Sequence, residues 1–370
     1  MKKRWYAVWG VYIRNLRLLS RQKQLLIAPL ILPVILMFLT AVIMGAGGDQ
    51  WPVAVVNQSD DPAAQAVVRS IEDSHSNITP YYRVVETDLQ EARDKVREGR
   101  LQMLIRIPAD YAQSRSVFIE TFNINSDMMK NVRLRLEHSL LDELKNNQEL
   151  LFTPSLVTEQ PEDVWRAAYI AGSCILLSLF MGAAITAANL FAFENENRTR
   201  KEIFLTPLPP WTAGLGNVLA ALTVALLCSL PAMLVGTLAF KVHLYPGQLL
   251  KVYGMMIPVM ATCACIGMLA AHWFKNYRVL QPVIIVGSIA TFFGAGGFIG
   301  VGVLPEGSRI FSKYWIISRV FEWFNPVLHN FSRGFTLGQI TSIVLVAALA
   351  LLTVPWLYKA AGRSRVMNGQ

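Results

Sequence analysis

The chain has 370 residues, 53% of them hydrophobic and 16% charged, with a formal net charge of +9. Residues 49–163 hold 12 Lys/Arg against 20 Asp/Glu, a balance of −8, and the remainder holds 22 against 5, a balance of +17. The basic excess therefore borders apolar sequence, where it sets orientation and meets anionic headgroups, and a nucleic-acid-binding role is excluded as the source of the charge.

Residues 4–23 place Trp5, Val8, Trp9, Tyr12, Ile13, Leu16 and Leu19 at helical spacing, with the basic residues largely opposite. This is the pattern of an amphipathic helix lying in a membrane interface; the plainer alternative is an ordinary basic flank. The first apolar run, 24–48, contains Pro29 and Pro33, which predict a kink. A cleaved signal peptide is the rival for this region, but the apolar run is longer than signal peptides use and the basic lead is long.

The acidic block 49–163 reads as alternating strands and helices. Val53–Val56 is a β-branched run ending in the turn cluster Asn57 to Pro62, a good helix start. We expect a helix over Ala63–Glu72, a strand over Tyr82–Val85 and a helix over Leu89–Arg97 stopped by Gly99. Strands over Leu101–Ile107 and Val117–Phe122 follow, then a long helix from Asp127 to about Leu150. A block of this size can bury its own core, and the alternation predicts a small α/β or α+β domain. It contains no cysteine and hence no disulfide. Asn77-Ile78-Thr79 matches the glycosylation sequon, a pattern too short to carry weight alone.

Five more apolar runs follow, at 167–193, 212–240, 252–271, 279–304 and 337–358. None of the six runs contains Asp, Glu, Lys or Arg, and each is long enough as a helix to cross the roughly 30 Å hydrocarbon core of a bilayer. The four cysteines lie in these runs and read as small buried hydrophobes. Six glycines crowd the fifth run, and an aromatic-rich stretch leads from Pro305 to Asn325-Pro326. That suits a broken or re-entrant segment over 296–326, with close helix packing through small residues as the alternative. With the N-terminus in the cytoplasm, the short segments on that side carry fifteen Lys/Arg and those on the other side six. The positive-inside rule then places both termini in the cytoplasm and the acidic block outside.

Missing chemistry narrows the function. No Gly-Lys pair occurs, so the chain cannot build a P-loop for ATP, and no HExxH, GxSxG or metal-spaced His/Cys/carboxylate cluster is present. The uncharged runs offer no proton relay or ion pair inside a span. A self-powered pump, an ion-coupled carrier and an intramembrane enzyme are all weakened, and energy for transport would come from a partner. The segment suited to receive it is Glu194-Asn195-Glu196-Asn197-Arg198-Thr199-Arg200-Lys201-Glu202, followed by Ile203-Phe204-Leu205-Thr206-Pro207. Taken alone it also reads as a solvated loop.

This segment resembles the pattern Glu-Arg-Glu-x-Gly-Thr-x-Glu-x-Leu-Leu-x-x-Pro of ABC type-2 transporter permeases, the membrane subunits of ATP-binding-cassette exporters. Glu194, Glu196, Thr199, Ile203, Phe204 and Pro207 fall in register, while Arg198 replaces the usual Gly and Lys201 the usual Glu. Val53–Asn57 with Asp60-Asp61-Pro62, and Gly99 through Tyr111, are similar to the subgroup with a large periplasmic domain after the first span. Gly297, Pro305, Pro326 and Arg333 resemble that subgroup's stretch before the last span, which reads as a re-entrant outer gate.

The resemblance implies an α-helical polytopic membrane protein with six transmembrane helices and an inserted extracytoplasmic α/β or α+β domain. Its parts would be a connecting helix at 1–24, a first span at 25–48, the domain at 49–163 and a five-span region at 164–370. Residues 194–210 would be the coupling loop, with Glu194, Glu196, Arg198, Thr199, Arg200, Lys201, Glu202, Phe204 and Pro207 facing the ATPase. It further implies a bacterial inner-membrane location and export of a drug, lipid or secondary metabolite. ATP and Mg would be bound by separate cytoplasmic ABC ATPase subunits and not by this chain. A second permease chain, membrane lipids and a periplasmic adaptor with an outer-membrane channel complete the expected partners. The alternative from another class is a membrane-anchored sensor or envelope assembly scaffold whose outer domain binds a ligand.

Overall fold

The computed structural model describes residues 2–44, 51–75, 80–97, 101, 103–121, 134–138, 140–141, 164, 166–197, 199–274, 277–298 and 306–366. The chain divides into two compact units, residues 1–44 with 166–370, and residues 45–165. Arg198, Pro305, the sequon at 77–79 and Gly99 lie outside the described residues, as does most of the helix expected at 127–150; residues 134–138 and 140–141 of it are helical.

Helix α1 (Lys2–Arg21) is amphipathic, but its apolar residues part company. Val8 and Leu19 are buried, whereas Trp5 and Trp9 are 67% and 57% exposed. One flank packs on the helix that begins at Trp211, where Gly216 lets the backbones meet: a Cβ there would lie 2.7 Å from Val11. Helix α2 (Gln24–Met44) runs on through Pro29 and Pro33.

The smaller unit is built on a four-stranded sheet. Strand β1 (Trp51–Asn57) is followed by α3 (Pro62–Glu72), β2 (Tyr82–Glu86), α4 (Leu89–Arg97), β3 (Met103–Ile107), the single turn α5 (Tyr111–Ser114) and β4 (Phe118–Thr121). The order is β2-β1-β3-β4, with β1 parallel to β2 and β3, and β4 antiparallel to β3. Alternate residues of a strand point to opposite faces. Val53 and Val55 thus pack with Ala64, Val67 and Ile71 on one side, and Ala54 and Val56 with Ala92, Val96 and Leu104 on the other. Covering both faces is what makes the central strands continuously apolar. Helix α3 starts where expected because the Asp61 carboxylate accepts the Ala63 N–H at 3.0 Å and Pro62 supplies the fixed first-turn φ. Leu101 is buried but lies outside β3, which begins two residues later than the sequence predicts.

The larger unit is helical throughout its described residues: α6 (Arg166–Glu196), α7 (Thr199–Leu205), α8 (Trp211–Phe240), α9 (Pro246–Phe274), α10 (Tyr277–Gly294), α11 (Glu306–Tyr314), α12 (Arg319–Leu328) and α13 (Leu337–Val366). Five helices, α2, α6, α8, α9 and α13, are long and apolar enough to cross a membrane by length and composition. The fifth apolar run forms α10, which ends at Gly294; its apolar part, Arg278–Gly294, is shorter than those five. The chain turns at Ala295, with Gly296 at φ 97°, a left-handed conformation that favours glycine.

Helix α6 is the axis of this unit, its apolar stretch wholly buried among α2, α8, α9 and α10. Lipid tails are as apolar as leucine, so membrane helices associate through close van der Waals contact that small residues permit. Gly267 of α9 lies so near α6 that a Cβ would stand 2.2 Å from the Ala184 carbonyl oxygen.

Two predictions follow from these elements. Gly267→Ala forces the α6 and α9 backbones apart, at about 1–3 kcal/mol, and lowers the thermal midpoint of the purified protein; an unchanged midpoint contradicts the contact. In the smaller unit, the Lys95 ammonium donates to Glu86 at 2.6 Å and holds that carboxyl down at about 2, below the 4.5 usual for a glutamate. A depressed folded-state pKa contributes stability that is complete above about pH 4.5 and is lost as pH falls through about 2. Melting followed from pH 5 to 2.5 will therefore show a smaller acid-induced drop in Glu86→Gln than in the parent.

Candidate functional site

The charged segment that the sequence places in a cytoplasmic loop is largely helical. Helix α6 continues through Glu196, and after a turn at Asn197 the seven-residue α7 begins. Glu194 therefore occupies the last turn of a long helix, and its side chain is only 4% exposed. A carboxylate cannot stay ionised in such a place without partners, because stripping it of water costs several kcal/mol.

Its partners come from three other helices. The Arg14 guanidinium of α1 donates to one carboxylate oxygen at 2.7 Å, and the Asn217 amide of α8 donates to the same oxygen at 3.3 Å. The Tyr358 hydroxyl of α13 donates to the other oxygen at 2.8 Å. Asn217 also donates to the Tyr358 hydroxyl at 3.0 Å, and its own oxygen accepts from the Asn15 amide at 2.6 Å. The Asn15 oxygen in turn accepts from Arg14 at 3.0 Å. Arg14 is 41% exposed and so carries the one wet edge of an otherwise buried network.

Arg200, from the first turn of α7, joins this group by stacking. Its guanidinium lies 3.9 Å from the centroid of Phe191 and 5.1 Å from that of Tyr358, and it donates to the Asn195 side chain at 2.5 Å. A guanidinium over aromatic faces is favourable, more so when little water reaches it. Thr199 donates weakly to the Glu194 carbonyl at 3.4 Å. Ile203 packs against the core formed by α6, α8, α9 and α13. Anchored on that side, α7 turns Lys201, Glu202, Phe204 and Leu205 outward, and Glu196 and Pro207 flank them. Leu205 is 85% exposed, next to Phe204 at 38%.

The residues expected to act together thus divide into two sets. Glu194 and Arg200 face inward and fix the segment to the bundle. Glu196, Lys201, Glu202, Phe204 and Pro207 present a mixed charged and apolar surface. Arg14, Asn15, Asn217 and Tyr358 were not anticipated. Asn15 left a trace, because with Val8, Tyr12 and Leu19 it completes a helical stripe on which it alone is a polar amide.

The residues that the sequence suggests as an outer gate take the following places. Gly297 is buried at the break after α10: a Cβ there would lie 2.8 Å from the Phe292 carbonyl and 3.0 Å from Phe321. The preceding Gly296 carbonyl accepts from the Tyr169 hydroxyl of α6 at 3.1 Å. Pro326 lies within α12, where the neighbouring Asn325 donates to Ser173 of α6 at 2.8 Å. Arg333 is exposed, and its carbonyl accepts from Lys251 at 2.6 Å.

A family model described as "ABC-2 family transporter protein" matches residues 23–357. No curated protein matches the chain. Glu194, Arg200 and Asn217 lie inside the matched range, whereas Arg14 and Asn15 precede it and Tyr358 follows it by one residue.

Burial separates the two glutamates of the segment. Glu194→Ala removes the carboxylate shared by three donors and will destabilise the purified full-length protein by about 3–5 kcal/mol, the cost of breaking a buried ion pair. Glu196→Ala, on the exposed side, will stay within about 0.5 kcal/mol of the parent. Equal losses in thermal melts of the two variants contradict this division.

Proposed function

The chain belongs to the ABC-2 family of transporter proteins, which makes it a multi-pass membrane component working with a cytoplasmic ATPase, and from that premise we propose that α7 is the element through which the ATPase drives it. The observation that carries this reading is the two-sided placement of the segment. One side is tied to α1, α6, α8 and α13 through Glu194 and Arg200, and the other offers Glu196, Lys201, Glu202, Phe204, Leu205 and Pro207 to a partner. A push on the outer side reaches four helices together, because the inner side is hydrogen-bonded to or stacked on each. The lysine at 201, where the pattern the segment resembles has glutamate, gives the docking surface a mixed charge, and a carboxylate on the ATPase face would complement it.

In this reading the chain is a permease subunit that exports an amphipathic compound. A second permease chain completes the path, and ATP with its Mg is held by the ATPase and not by this chain. Helix α10 with the chain beyond its break serves as the sixth crossing, broken at Gly296 and re-entrant before α13. The unit of residues 45–165 lies outside the cytoplasm, consistent with the fifteen-to-six distribution of Lys/Arg in the short segments. The inner-membrane location and cytoplasmic termini follow from the same distribution. A periplasmic adaptor and an outer-membrane channel would receive the substrate from that unit.

The coupling assignment is tested by co-reconstituting the chain with its ATPase in liposomes. Glu202→Lys with Phe204→Ala will reduce permease-dependent stimulation of ATP hydrolysis at least fivefold, while insertion and the melting temperature stay as in the parent. Stimulation that persists in the double variant removes α7 from the coupling path.

A further inference from the structure

A cavity of about 200 Å³ lies between α9, α12 and α13, capped by the end of α11. Val259 and Cys263 of α9, Val320 and Phe324 of α12, and Ile343 and Val346 of α13 give it apolar walls. It is remote in sequence from every group of the coupling segment, and nothing proposed for that segment uses it. Pockets for whole drug-sized molecules run to roughly 300–1,000 Å³, whereas an apolar cavity of about 150 Å³ holds a single benzene. This one therefore takes a ring-sized group or a length of hydrocarbon chain whose remainder stays outside.

Its surroundings identify the remainder. Val344 and Leu345, adjoining the α13 wall, are 51% and 61% exposed on a helix apolar and long enough to cross a membrane, so the cavity borders lipid. At its rim stand two cations among aromatic rings. Arg319 is engaged: it donates to the Glu322 carboxylate and, at 3.2 Å, to the Lys313 carbonyl, and it lies 5.7 Å from the Trp323 ring centroid. Lys313 is different. Its ammonium lies 5.8 Å from the Tyr314 ring centroid, and among the described residues no carboxylate pairs with it. Trp315 is held in place by donating to Thr291 at 2.9 Å. Aromatic rings and a lysine beside an apolar slot form the combination that sits at headgroup level in membranes.

We propose that this cavity binds one acyl chain of an anionic phospholipid, whose phosphate pairs with Lys313. The uncompensated ammonium supplies the charge complement. The small volume sets the stoichiometry at a single chain, and the lipid-facing mouth allows entry from the bilayer. The ring faces of Tyr314 and Trp323 flank the glycerol region. This inference is independent of the coupling assignment, since it involves neither α7 nor the Glu194 network.

The test is native mass spectrometry of the delipidated full-length protein. It is titrated with phosphatidylglycerol, with phosphatidylethanolamine of identical acyl chains, and with oleate as a competitor. The expected result is tightest-bound retention of phosphatidylglycerol at least fivefold over phosphatidylethanolamine. Val259→Trp, which fills the cavity, removes that retention, and Lys313→Gln levels the two lipids. Lys313 is exposed, so its variant keeps the fold even if the tryptophan variant does not. Equal retention of the two lipids by the parent overturns the proposal, as does undiminished selectivity in Lys313→Gln. Displacement of phosphatidylglycerol by equimolar oleate also overturns it, by showing that the site takes a carboxylate amphiphile instead.

Discussion

The carboxylate of Glu194 is the constraint around which one end of the bundle is organised. It is a charge in a place where water barely reaches, and it is kept there by three donors that belong to three different helices. Each donor fixes a distance and a direction, so α1, α8 and α13 cannot rotate independently without exposing or abandoning the charge. Asn217 is the hub, since it serves Glu194 and Tyr358 as donor and Asn15 as acceptor. The orientation of α7 follows from this: Arg200 stacks beside the same tyrosine, and the remaining side chains of the short helix have only one way to face.

The apolar axis and this polar end divide the work. Along α6, contacts through small residues bring backbones close but carry little directional information. Hydrogen bonds at the two ends of α6 supply the direction. At the far end, Tyr169 and Ser173 hold the break after α10 and helix α12, through Gly296 and Asn325. A helix with small residues in its middle and polar ties at both ends can transmit an axial displacement while its neighbours keep their register.

Much of this was legible from residue type and spacing alone. The apolar runs, the alternation in the acidic block and the helix start at Asp61-Pro62 are local signals; the strands and first two helices of the block lie within two residues of their expected bounds, whereas α9 and α13 overrun their apolar runs by several residues and α10 stops well short of its own. What stayed hidden depended on contacts distant in sequence. Glu194 closes an apolar run, and a first charge after such a run reads as the start of a loop; only Arg14, 180 residues earlier, shows otherwise. Trp5 and Trp9 fit a helical stripe as well as Val8 does, and nothing local says that α8 accommodates only one flank of it. The glycines of the fifth run point to a break from sequence alone, but only the structure fixes its position, at Ala295 and Gly296.

The Glu194 network also bears on how the protein is made. Its members leave the ribosome in the order Arg14, Glu194, Asn217, Tyr358, and the tyrosine is synthesised 164 residues after the glutamate it serves. Until the final long helix has been inserted, the carboxylate lacks one of its donors and the foot of the bundle keeps an exposed polar seam. A chain without α13 therefore differs from one that has it in the hydration of a single buried carboxylate.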